Sequence, residues 1–214
     1  MHFEFLVEDQ SGKVMLERLV PNIIDTSCHT FKIHAYKGIG RIPKNLNPKT
    51  SSEKRILLDQ LPRILKGYAK AFASFSAAVI VVCDLDDRNM EKFSAELKGL
   101  VPQANALKVR FCIAVEEGEA WLLGDLEAVR KAYPKAKAAV LDAYVNDSIC
   151  GTWEKLADAI YSGGARALVK EGFYKIGQEK ANWAENITPH MNVAKNSSES
   201  FNLFKDSLDV LSNM

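Results

Sequence analysis

The stretch Ala77-Ala-Val-Ile-Val-Val-Cys-Asp-Leu-Asp-Asp87 constrains the fold more than any other part of the chain. Seven small or β-branched apolar residues run directly into three acids. A short apolar run that ends in charge reads as a buried strand of a parallel sheet, with acids at its carboxyl end. In extended geometry Asp84 and Asp86 leave the same face. Two carboxylates so placed repel each other unless a positive charge sits between them. A hard divalent cation, Mg²⁺ or Mn²⁺, prefers such oxygen ligands. The carboxyl edge is also where open α/β sheets place their ligands. The plainer reading is that the acids cap a helix starting near Arg88-Asn-Met-Glu91, and one of the three is expected to do so. A cap does not need three.

The rest of the chain supplies neighbours for this strand. Phe3 to Val7 reads as a first strand ending at Glu8. The turn Asp9-Gln-Ser-Gly12 leads into a helix whose apolar face is Val14, Leu16, Leu19, Val20 and Ile23. Ser11-Gly-Lys13 is not a phosphate loop, because the glycine that a Walker A motif needs is replaced by Val7. Phe31 to Tyr36 alternates as a second strand. The loop from Lys37 to Lys49 carries Lys37, Arg41, Lys44 and Lys49 and no acid. It is either a solvated basic loop or an arm that contacts phosphates near the strand tips. Ser52 to Phe75 reads as a helix capped by Ser51 or Ser52 and kinked at Pro62. A helix over Asn89 to Leu100 and a strand over Val109 to Val115 follow. That strand again runs into acids: Glu116, Glu117 and Glu119.

This alternation predicts an α/β fold with a mostly parallel sheet and right-handed crossovers. Strand signals fade after Ala120. Helices are expected over Leu126 to Val145 with a break at Pro134, over Trp153 to Val169 with an interruption at Gly163-Gly164, over Lys180 to Met191, and over Ser200 to Leu211. The expected organisation is an α/β core over 1–125 with a helical C-terminal extension over 126–214 packed on it.

Composition narrows the partners. Lys and Arg total 28 against 27 Asp and Glu, so any nucleic-acid contact must come from a local patch. The four cysteines, Cys28, Cys83, Cys112 and Cys150, form no C-x-x-C pair and read as free thiols of a reducing compartment. No apolar stretch approaches membrane-spanning length, and the start does not read as a signal peptide. A cytoplasmic protein is expected. The four histidines show no ligand spacing, and Trp121 and Trp183 read as core.

In a parallel sheet all strands exit at one edge, so Glu8, Asp84, Asp86 and the 116–119 cluster are expected to converge. A set of four or five carboxylates is costly without cations. The segments Phe5-Leu-Val-Glu-Asp-Gln-Ser, Val82-Cys-Asp-Leu-Asp-Asp87, Ile113-Ala-Val-Glu-Glu-Gly-Glu-Ala-Trp-Leu-Leu-Gly-Asp125 and Ser200-Phe-Asn-Leu-Phe resemble the toprim-like domain-of-unknown-function family 4276. That family is related to the toprim domain of overcoming-lysogenisation-defect nucleases. The resemblance implies a toprim-like, Rossmann-like fold and a metal-dependent nuclease acting on DNA or RNA. It further implies an effector subunit of a bacterial anti-phage system that works with a separate ATPase.

On this resemblance Glu8, Asp84 and Asp86 are expected to ligate Mg²⁺ or Mn²⁺, and Glu119 to complete a second metal site or act as general base. Lys180, at the start of its expected helix, resembles the lysine that neutralises transition-state charge in those nucleases; its other reading is a surface lysine. Lys37, Arg41 and Lys44 are expected to contact nucleic acid. Asp125, six residues past Glu119, is expected to cap or support rather than ligate. The sequence departs from the family at Asp9, where glycine is usual, and at Ser11-Gly12, where Thr-Glu is usual. The alternative is a non-catalytic toprim-like scaffold that binds a partner ATPase or nucleic acid. A phosphatase with Asp84 as nucleophile fits less well, since Arg88 stands where such motifs carry Thr or Val. The sequence leaves room for a homo-oligomer.

Overall fold

The computed structural model describes residues 1–47, 51–102 and 107–214, with Ser52 described by its backbone alone. Lys49, read above as part of the basic loop, lies outside the described residues. Four strands, β1 (His2–Val7), β2 (Thr30–Ala35), β3 (Ala77–Asp84) and β4 (Lys108–Ala114), form one sheet in the order β2-β1-β3-β4. Every pairing is parallel. The helices α1 (Gln10–Leu19), α2 (Leu57–Ala71) and α3 (Met90–Lys98) connect successive strands.

The central strands are apolar on both faces because both faces are covered. Phe3, Phe5, Val7, Ala78, Ile80 and Val82 join a core with α1, while Leu6, Val79, Val81 and Cys83 join a second core with α2 and α3. This accounts for β3, whose first seven residues are all buried.

From β1 the chain runs out to β2, then returns across β1 to β3 on the other side. The direction of winding therefore reverses between β1 and β3, and a crevice opens at their carboxyl ends. Val7 pairs with Val82. Glu8 is thus one step, and Asp84 two steps, past the last pair of adjoining strands.

The remaining described elements are helical: α4 (Glu119–Leu123), α5 (Leu126–Ala132), α6 (Ala138–Asp142), α7 (Thr152–Ile160), α8 (Gly164–Glu171), α9 (Phe173–Ile187) and α10 (Glu199–Ser212), plus short 3-10 turns. They share the α1 side of the sheet. Trp121 stacks on Phe204 at 4.9 Å between ring centroids and meets Phe201 edge-on at 5.7 Å. Its indole N–H donates to Ser200 Oγ at 3.0 Å, giving the buried polar tip a partner. Both Trp121 and Trp183 are core.

Several local expectations are corrected. The helix before β3 starts at Leu57, because Ser52–Lys54 forms a 3-10 turn and Arg55 sits at a left-handed φ of 51°. Neither Ser51 nor Ser52 is its cap: Ile56 occupies that position without a capping side chain, and the helix continues through Pro62. Asn89, not an acid of the 84–87 run, caps α3 by accepting from Lys92 N at 2.9 Å. Lys180 does not open its helix; α9 begins at Phe173.

Candidate functional site

The carboxyl edge gathers three of the predicted acids, Glu8, Asp84 and Glu119, around a small cavity of about 30 Å³. Glu8, Asp9, Asp84, Glu119 and Lys180 line it. That volume holds an ion or a water or two, so a nucleotide would have to sit at its mouth.

Glu8 and Asp84 meet because their strands adjoin: Asp84 N donates to Glu8 Oε2 at 3.4 Å. Burial above all, and then the charge of Asp86, push the Glu8 carboxyl up to about 7. Burial and the charge of Glu8 raise the Asp84 carboxyl well above the usual range, while Lys180 pulls it back. Asp9 caps α1, its carboxylate accepting from Gly12 N at 2.8 Å and from Ser11 Oγ. Asp9 thus has a local task in starting the helix.

The glutamates after β4 divide by role. Glu116 takes a left-handed φ of 59° and turns away from the cavity. Its carboxylate accepts from Cys150 N, Gly151 N and Thr152 N at 2.9 to 3.1 Å, and from the Thr152 hydroxyl. These bonds hold its pKa below the usual value despite the cost of burial, and they tie the start of α7 to the end of β4. Glu119 is 3% exposed and its carboxyl is raised by burial, against the pull of Lys180. Glu117 is raised by burial to about 7.

Lys180 is no surface lysine. Its side chain is 15% exposed, with Nζ 3.0 Å from Glu119 Oε2 and 3.7 Å from Glu117 Oε1. The Glu119 contact is an ion pair without the alignment of a hydrogen bond. The ammonium pKa is raised: burial opposes the charge, and Glu119, Glu117 and Asp84 more than restore it. The packing of α9 on α1 delivers this cation. Among the described residues, Glu8, Asp84, Glu117 and Glu119 thus feel the charge of this one ammonium.

Asp86 does not share the orientation of Asp84. The strand ends at Asp84, and Asp86 sits in a turn with φ 51°, so the two-residue alternation does not reach it. Its carboxylate pairs with Arg88, whose guanidinium lies 5.0 Å over the Phe93 ring. Asp86 stays close enough to act on Glu8 through its charge.

Asp125 caps α5, accepting from Ala128 N at 3.0 Å, and also accepts from Asn192 N at 2.8 Å. Of the basic loop, Arg41 reaches a groove next to the acids. Lys37 and Lys44 are exposed and do not line that groove. His2 and His34 both pair with Glu4, 3.3 and 2.6 Å away. All four cysteines are free, with Cys83 and Cys112 buried. Among the described residues no helix is long and apolar enough to cross a membrane.

The donor set suits a hard divalent cation in kind, since every acid at the cavity offers carboxylate oxygen. In number the set is spare: among the described residues no group of three or more His, Cys, Asp or Glu side chains is arranged to hold a metal ion. A Mg²⁺ or Mn²⁺ ion at this cavity would be held by the Glu8–Asp84 pair and otherwise by water, as Mg²⁺ commonly is. Sequence reasoning left Glu117 and Arg88 without roles. Glu117 was visible as one of the acids after β4, but nothing in the sequence tied it to Lys180.

Comparison of the chain with protein-family models, with curated proteins and with solved structures finds no match.

Proposed function

We propose that the protein is a Mg²⁺- or Mn²⁺-dependent nuclease that hydrolyses phosphodiester bonds in DNA or RNA at the β1/β3 crevice. The observation that carries this reading is the meeting of Glu8 and Asp84, from two adjoining parallel strands, at a cavity of ion size with Lys180 in its wall. Glu8 and Asp84 would hold the ion. A bound ion would polarise the phosphoryl oxygens and lower the pKa of its water. Lys180 Nζ, steadied by Glu119 and Glu117, would donate to a non-bridging oxygen of the phosphate at the cavity mouth, where negative charge builds as the bond breaks. The cavity is too small for the nucleotide itself, so the strand must lie across the opening. The toprim resemblance adds the proposal that the chain is the effector of a defence system with a separate ATPase, and the absence of a Walker A loop near Ser11-Gly-Lys13 accords with an ATPase on another chain.

The test is cleavage of plasmid DNA, single-stranded DNA and tRNA in Mn²⁺ or Mg²⁺, alone and with any ATPase encoded beside the gene. Asp84→Asn is expected to lower the rate by about a hundredfold or more. Undiminished cleavage by that variant would overturn the assignment. Two features favour a second reading as a non-catalytic scaffold: the spare ligand set and the pairing of Asp86 with Arg88. Saturable Mn²⁺ binding in a calorimetric titration, lost in Asp84→Asn, decides for the nuclease; no saturable binding decides for the scaffold.

A further inference from the structure

Next to the acidic cavity lies a second, larger depression of about 550 Å³, between the basic loop and α3. Three cations line it, Arg41, Arg88 and Lys92, against two acids, Asp87 and Glu96. Its place is fixed by the backbone. Gly38 N donates to Glu8 O at 3.0 Å, while Leu57 N and Leu58 N donate to Gly38 O and Ile39 O at 3.1 and 2.9 Å. The loop is thus tied both to the first catalytic candidate and to the start of α2. Gly40 makes the turn possible: its φ is +67°, and a Cβ there would stand 2.0 Å from Ile56 Cγ2. The result sets Arg41 across from Lys92, with Arg88 shared between groove and acids.

We propose that this groove takes the phosphate chain of the nucleic-acid strand beside the bond to be cut, and that Arg88 couples the groove to the metal pair. In the free protein Arg88 pairs with Asp86, two residues beyond Asp84. A phosphate entering the groove competes for the same guanidinium, because Arg88 lines the groove and also pairs with Asp86. Once Arg88 turns to the phosphate, Asp86 is free to swing toward Glu8 and add a third carboxylate to the Glu8–Asp84 pair. Substrate would thereby complete the ligand set that is spare without it. The nature of the ligand, a polynucleotide rather than another polyanion, rests on the nuclease reading. The cations themselves do not.

The experiment is fluorescence titration of a labelled oligothymidylate of about 12 nucleotides, in EDTA so that nothing is cleaved, alongside Mn²⁺ calorimetry without oligonucleotide. Arg41 and Lys92 are exposed, so the double variant Arg41→Glu/Lys92→Glu is expected to fold. It should weaken oligonucleotide binding tenfold or more and flatten its salt dependence, with Mn²⁺ binding unchanged. Arg88→Ala should act in opposite directions: weaker oligonucleotide binding and several-fold tighter Mn²⁺ binding. Oligonucleotide binding that survives the double variant, or is absent from the wild type, overturns the groove. Mn²⁺ affinity unchanged or weakened in Arg88→Ala overturns the coupling. If the groove variants bind normally while Asp84→Asn abolishes cleavage, only the groove falls. If they lose binding but the wild type cuts nothing in Mn²⁺, the groove stands and the nuclease reading falls.

Discussion

Glu8→Gln should make the protein more stable at alkaline pH and leave it almost unchanged in acid. Glu8 titrates near 4.5 when exposed and near 7 in the fold, raised chiefly by burial and then by the charge of Asp86. Below the lower value both states hold the proton and the site costs nothing. Between the two, the unfolded chain has released a proton that the folded chain still binds, so stability falls as pH rises. Above about 7 the full penalty is present, about 3 kcal/mol for a displacement of this size. Glutamine is neutral throughout, and its side-chain oxygen can still accept from Asp84 N. Urea denaturation at a series of pH values should therefore show the two proteins alike near pH 4.5 and the variant ahead by about 3 kcal/mol at pH 8, or roughly 6–12 °C in melting temperature. Mn²⁺ at a hundredfold excess over its dissociation constant should raise wild-type stability at pH 8 by about 2.7 kcal/mol and leave the variant unmoved. Parallel stability curves from pH 4.5 to 8 would show that Glu8 is not buried against its neighbours as described.

Two further substitutions test the surroundings. Lys180→Met removes the ammonium that faces the acids, and should cost about 3–5 kcal/mol at pH 8. The loss should shrink near pH 5, where Glu8 and Glu117, each raised to about 7, are protonated; an equal loss at both pH values would assign it to packing alone. Gly124→Ala should cost about 1–3 kcal/mol in urea denaturation, because its Cβ would fall 2.0 Å from Asn196 Oδ1, and Asn196 is itself fixed by donating to Trp121 O at 2.8 Å. A variant as stable as the wild type would show that the Asn196 loop is free to move.

The strands and two of the acids were legible because the rules that place them are local. An apolar run covered on both faces announces a central parallel strand, and parallel strands deliver their ends to one edge. Glu8 and Asp84 follow from that alone. Asp86 was misjudged because side-chain alternation is a property of strands, and β3 stops two residues earlier. What governs Asp86 is a left-handed turn and a nearby guanidinium, and neither leaves a periodic trace. Glu116 was grouped with Glu117 and Glu119 for the same reason: its positive φ sends it to the start of α7. The burial of Lys180 depends on how α9 packs on α1, a contact between segments far apart in sequence. The start of α2 was placed too early because serines resemble caps, and the positive φ at Arg55 that delays the helix is invisible in composition.

The placement of Lys180 has a consequence for synthesis from the ribosome. Once β4 has emerged every strand of the sheet is present, but Glu8, Asp84, Glu117 and Glu119 then still lack the Lys180 ammonium, and the hydrophobic seat for Trp121 still lacks Phe201 and Phe204. The nascent sheet must wait, with its carboxyls protonated or solvated, until α9 and α10 arrive. A product truncated before α9 would therefore be electrostatically incomplete as well as badly packed.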